Sequence, residues 1–185
     1  MAQNLLLLFI SEILSIVSVF SSLKVFAGGL SWLSIAALPA FVLMIFAYVG
    51  LRNENGKFKL AFYFTIVALA LVVTNIILVC CQVPNVAYYI SLVISVMGIC
   101  ITCYTIEGCL EVCSGDQQKV KFGKGVELAY GIGIIGGAIL EALVQFGVFQ
   151  NASLARAMIV VAMGVTVVAY IFYVAYLFVT YKYSK

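Results

Sequence analysis

Apolar residues run along this chain in six long blocks, at about 4–23, 30–50, 59–81, 86–110, 126–149 and 154–180, separated by short polar punctuation. Each block holds about 20 residues or more, and a helix of ~20 residues rising ~1.5 Å per residue crosses a hydrocarbon core of ~30 Å. The connections after the first, third and fifth blocks are tight, and the other two are longer. The pattern therefore predicts an all-α, polytopic membrane bundle of six transmembrane helices arranged as three helical hairpins, in a single integral membrane domain over 1–185.

Composition strengthens that reading. With 65% hydrophobic and 9% charged residues, and a mean hydropathy of +1.21, no polar face remains for a water-soluble fold. Six spans leave only roughly 60 residues outside the lipid, too few for a soluble catalytic domain. The first block has no Lys or Arg before it and is interrupted by Glu12, so it reads as a span rather than a removable signal peptide.

Charge placement says more than the net charge of +3, which is too small to point to nucleic acid. Eight of the ten basic residues fall on one side of a six-span chain: Arg52, Lys57, Lys59, Lys119, Lys121, Lys124, Lys182 and Lys185. Only Lys24 and Arg156 fall on the other. By the positive-inside rule the eight face the cytoplasm, which places both termini there and the chain in the cell membrane. Tyr48, Tyr63, Tyr173, Tyr176, Tyr181 and Tyr183 lie toward the same side and read as an interfacial aromatic belt.

The sharpest chemical candidates are polar residues inside the apolar blocks. Glu12, Asn75 and Glu141 occupy equivalent places in the three hairpins, as a tandem repeat would put them. A carboxylate near a helix centre costs roughly 2.5–3.5 kcal/mol to insert, so such residues face a protein interior or a wet cavity. Glu12 and Glu141 are expected to face each other as a proton relay or cation site, or else to be hydrogen-bonded structural groups. Ser11, Ser15, Ser18 and Ser22 line one face with Glu12, and Gly133 and Gly137 continue to Glu141 as a small-residue stripe suited to close helix approach. Pro39 in the second block predicts a kink.

All six cysteines lie in the third and fourth blocks or directly after the fourth. On a helix, Cys100, Cys103, Glu107 and Glu111 fall within about 80° of one another, a stripe that could conduct a cation. A Cys-x2-Cys pair without a second pair does not define a zinc site, so no metal is assigned. On the other side of that helix Ser91, Ser95, Gly98, Thr102, Cys109 and Cys113 suit helix contact.

Six short-looped spans with both ends inside resemble the substrate-binding subunits of energy-coupling-factor vitamin transporters. Three tandem hairpins are also similar to a family of bacterial acid-stress membrane proteins. Both likenesses are of size and topology, with no motif matched residue by residue.

The chain has no histidine, no Gly-x-Ser-x-Gly elbow and no Walker-type loop, so neither an enzyme nor a cofactor is expected. The run Gly131-Ile132-Gly133-Ile134-Ile135-Gly136 fits a dinucleotide fingerprint in letters, but it lies inside an apolar block rather than after a strand. The expected function is a transporter or transporter subunit for a small solute or cation, with Glu12, Asn75 and Glu141 at its polar centre. The alternative is a non-transporting regulatory, assembly or stress-related partner. The expected partners are the lipid bilayer, other membrane subunits and a small solute or cation.

Overall fold

The computed structural model describes residues 1–22, 37–82, 84–145 and 152–185. Among the described residues there are six α-helices and no strand: α1 Ala2–Ser22, α2 Ala37–Leu51, α3 Gly56–Cys80, α4 Pro84–Val112, α5 Gln117–Gln145 and α6 Ala152–Ser184. Three of the helices carry a stretch long and apolar enough to cross a membrane: Gly56–Leu78, Leu92–Val112 and Gly164–Ser184. The apolar stretches of the first two helices are shorter, Ala2–Val17 and Pro39–Leu51, so the six full spans expected from the blocks reduce to three by length and composition among the described residues.

Pro39 lies in α2, which is described from Ala37 onward, so the expected kink falls at the limit of the described residues. The part of the second block that would place it mid-helix, and Lys24 with it, lies outside the described residues.

Local chemistry sets the helix starts. Asn55 caps α3, its side-chain oxygen accepting from the Phe58 amide at 2.9 Å, while its side-chain nitrogen donates to the Gly108 carbonyl of α4 at 3.0 Å. Asp116 caps α5 by accepting from the Gln118 and Lys119 amides at 3.0 and 3.2 Å. At the α3–α4 turn, Gln82 adopts a left-handed backbone with φ 58°.

Each helix packs chiefly on its partner in sequence, α1 on α2, α3 on α4 and α5 on α6. The pairs then join through α2–α3 and α4–α5, α1 meets α6, and α4 also touches α6. The six helices thus form a closed ring of three hairpins, in which α1, α3 and α5 alternate with the others and do not pack on one another among the described residues.

One end of this ring holds the α2–α3 and α4–α5 connections and both termini. The Met1 amino group pairs with Glu54 of the α2–α3 connection at 3.1 Å. Lys119, just after the α4–α5 connection, lies over the Tyr183 ring near the end of α6, 4.7 Å from its centroid. Both ends of the chain and both longer connections therefore meet at the end that carries Arg52, Lys57, Lys59, Lys119 and Lys182.

The core inside the ring mixes aliphatic and aromatic groups: Leu5, Leu8, Leu51, Phe58, Ile106 and Leu177 are fully buried beside Tyr48, Tyr173 and Tyr176. Those three tyrosines were expected in an interfacial belt. They face inward instead, while Tyr63 and Tyr183 are exposed. Large apolar side chains cover the outer surface, among them Val73, Ile76 and Ile77 of α3 and Leu128, Ile132 and Ile135 of α5. That inversion of the soluble pattern is what a hydrocarbon solvent allows.

Candidate functional site: a buried carboxylate among tyrosines

Glu12 sits midway along α1 and is almost wholly buried. Its place follows from the helix period: Leu5, Leu8, Ser11 and Glu12 share one face, and all four are buried. The flanking serines are satisfied locally, Ser11 donating to the Leu8 carbonyl at 2.7 Å and Ser15 to the Ser11 carbonyl at 3.0 Å. Glu12 is therefore the group on this face that needs partners from elsewhere. The side chains of Ser18 and Ser22 lie outside the described residues.

The partners come from α6. Tyr170 donates its hydroxyl hydrogen to one carboxylate oxygen of Glu12, and Tyr173 donates to the other at 3.1 Å. The two rings lie against each other with centroids 5.6 Å apart, and Tyr130 of α5 packs on Tyr173 at 6.1 Å. Tyr48 of α2 is also fully buried. Its hydroxyl lies 2.6 Å from Thr105 Oγ1 of α4. Since Thr105 donates its own hydrogen to the Ile101 carbonyl at 2.7 Å, Tyr48 is the donor of that pair. Among the described residues no Lys or Arg forms an ion pair with Glu12, which is held by phenol hydroxyls alone.

A carboxyl taken out of water needs hydrogen bonds or a counter-charge, because an unsatisfied one costs several kcal/mol. Two phenol donors supply the hydrogen bonds and no counter-charge. Such a group can take up and release a proton, or attract a small cation, because nothing nearby neutralises it permanently.

The other expected site residues lie on α3, α4 and α5. Asn75 is half-buried on α3, which does not pack on α1. Glu141 falls within α5, and its side chain lies outside the described residues. On α4, Cys100 and Cys103 are half-buried, Glu111 is exposed, and Glu107 forms an ion pair with Lys57 of α3. Among the described residues no group of three His, Cys, Asp or Glu side chains could hold a metal ion.

The contact side expected on α4 packs only in its second half: Ser95 and Gly98 are exposed, and the Ser91 side chain lies outside the described residues. Thr102, Cys109 and Cys113 are buried, and the Cys113 Sγ lies 3.7 Å from Thr180 Oγ1. Sequence reasoning missed Tyr170 and Tyr173 as partners of Glu12. The signal was the 3-3-4 spacing of Tyr170, Tyr173, Tyr176 and Thr180, which lines one face of a helix and not a ring at its end.

Two grooves lie away from Glu12. One of about 780 Å³ runs along α5 past Lys124, Glu127, Gly131 and Ile135. Another, of about 510 Å³, opens at the α2–α3 connection. Comparison with protein-family models, curated proteins and solved structures finds no match.

Proposed function

We propose that the chain is a six-span membrane protein with both termini cytoplasmic, serving as a small transporter or transporter subunit for a small solute or cation, with Glu12 as its proton- or cation-binding centre. The observation that carries this reading is the burial of Glu12 between the Tyr170 and Tyr173 hydroxyls without an ion-pair partner among the described residues. Purely structural polar contacts in membrane helices are more economically made by Ser, Thr or Asn, and a carboxyl held there without a cation suits a group that titrates. The closed ring supports six spans, since each hairpin returns the chain to the end where both termini lie. The reading involves no catalytic step, cofactor or nucleic acid.

A second reading, a non-transporting partner of a larger membrane assembly, is favoured by one observation. A groove of about 780 Å³ lies on the outer, apolar face of α5 and does not include Glu12. In this reading Glu12 only fastens α1 to α6.

Reconstitution separates the two. Wild-type protein in sealed liposomes, under an imposed proton gradient and a panel of small cations, is expected to dissipate the gradient faster than empty liposomes. The Glu12→Gln variant, which keeps the shape and loses the titrating proton, is expected to abolish that flux while remaining folded. Wild-type flux equal to that of empty liposomes, or unchanged in Glu12→Gln, would sink the transport reading.

A further inference from the structure

The pocket at the α2–α3 connection has the chemistry of an anion site. It is lined by Arg52, Asn53, Asn55, Gly56, Lys59 and Phe62, with Tyr63 at its edge. Four ionisable side chains belong to this stretch, and the structure divides them into two sorts. Glu54 is engaged by the Met1 amino group at 3.1 Å, and Lys57 is engaged by Glu107. Arg52 and Lys59 form no ion pair among the described residues. Glu54 and Glu107 are thus held by other cations, and the two cations that line the pocket have no carboxylate partner among the described residues.

Three further features fit the same ligand. The Arg52 guanidinium lies over the Phe62 ring, 5.4 Å from its centroid, a cation–π contact that holds it at the pocket. The α3 helix begins at Gly56, so its positive end opens into the pocket beside the two cations. Asn53 adds an amide group to the lining, while the Asn55 amide there is engaged by the Phe58 amide and the Gly108 carbonyl. A planar guanidinium with a point-charge ammonium beside it is the donor set that recognises phosphate oxygens.

We propose that this pocket binds a phosphate group, that of an anionic phospholipid headgroup or of a soluble phosphate ester. The lipid source is favoured by what lies below the pocket. On α3, Tyr63, Ile66 and Val67 follow Lys59 at helical spacing and are exposed, 53%, 41% and 46% respectively. They form an apolar track along which acyl chains lie when the headgroup sits between Arg52 and Lys59. The site stands at the basic end of the ring, where juxtamembrane cations attract anionic lipid.

The full chain, purified in detergent, is titrated in turn with phosphatidylglycerol, phosphatidylcholine and glycerol phosphate, and bound ligand is counted by native mass spectrometry. Phosphatidylglycerol is expected to bind in preference to phosphatidylcholine. The preference is expected to fall about fivefold in Arg52→Ala or Lys59→Ala and ~25-fold in the pair, the attraction one surface cation exerts on an anionic headgroup. The pair Lys182→Ala and Lys185→Ala, at the same end but outside the pocket, is expected to leave it unchanged. Lys59→Glu, a single exposed change, tests the same point should the double variant be unstable. Glycerol phosphate binding as tightly as the lipid, and lost in the same variants, would support the site with a soluble ligand. No preference for phosphatidylglycerol and no glycerol phosphate bound, or binding indifferent to Arg52 and Lys59, would overturn the proposal.

Discussion

The Tyr173 hydroxyl of α6 donates to the Glu12 carboxylate of α1 at 3.1 Å, so the first and last helices of the ring meet through a buried polar contact. The contact lies where the ring closes, and Tyr170 makes the second bond to the same group. Tyr173→Phe leaves a buried carboxylate oxygen with one donor fewer. The expected cost is about 1–3 kcal/mol, the range for stranding a buried polar group. Titration with a denaturing detergent in mixed micelles measures it. In a Glu12→Gln background the same change is expected to cost less, because a neutral amide loses less than an ionised acceptor when its donor is removed. Equal costs in the two backgrounds would mean that Tyr173 contributes only packing.

The Tyr48–Thr105 pair predicts an asymmetry. Tyr48 donates to Thr105 at 2.6 Å, while Thr105 donates to the Ile101 carbonyl at 2.7 Å. Thr105→Val keeps the side-chain shape but strands a fully buried phenol, at about 1–3 kcal/mol. Tyr48→Phe leaves Thr105 bonded to its own helix and loses only the net value of one bond, about 0.5–1.5 kcal/mol. Unfolding midpoints of the two variants are expected in that order, and the reverse order would assign the donor wrongly.

The α5–α6 contact is a matter of volume. A methyl group at Gly133 would stand 2.8 Å from Ala169 Cβ, closer than two carbon atoms can approach without movement. Gly133→Ala is expected to destabilise the hairpin by about 1–3 kcal/mol through overpacking. The double variant Gly133→Ala with Ala169→Gly exchanges the methyl between helices and is expected to recover most of the loss. Gly131→Ala, where nothing lies within 4 Å, is expected to be neutral or to stabilise by up to ~1 kcal/mol through helix propensity. Thermal unfolding of the four proteins checks all three statements.

The helical hairpins were legible from the blocks because apolar run length and the alternation of tight and long connections are local properties. The number of full spans was less so. Among the described residues the apolar stretches of α1 and α2 fall short of a full span, and the second block is described only from residue 37. Glu12 stood out because a carboxylate inside an apolar run is rare whatever surrounds it. Its partners did not, since tyrosine near a helix end serves equally well as a belt residue or as a hydrogen-bond donor facing inward. Only the ring closure of α1 on α6 decides between these uses for Tyr173, and that contact joins residues 161 positions apart in the chain. The Cys100, Cys103, Glu107 and Glu111 stripe has the same limit. A shared helix face says nothing of which neighbour meets it, and here Lys57 of α3 takes Glu107.

The last prediction concerns pH. Asp116 accepts hydrogen bonds from the Lys119 side chain and from the Lys119 and Gln118 amides at the start of α5, and these hold its carboxyl below the usual carboxylate range, the Lys119 side chain contributing most. In turn the Asp116 carboxylate pushes the Lys119 ammonium up. A carboxyl whose folded value is depressed adds stability above its unfolded value, near 3.9, and loses it as pH falls from there through the folded value. A raised ammonium adds stability below its unfolded value, near 10.4, and loses it as pH rises through the folded value. The contact thus supports the α4–α5 turn across the neutral range and fades at both extremes. Asp116→Asn retains a good helix cap but no charge. Its unfolding midpoint is expected to depend less on pH than the wild type's below about pH 4. Hydrogen exchange at the Gln118 and Lys119 amides, compared at neutral and acid pH, localises the effect. An acid dependence identical in wild type and Asp116→Asn would show that the contact contributes nothing to stability.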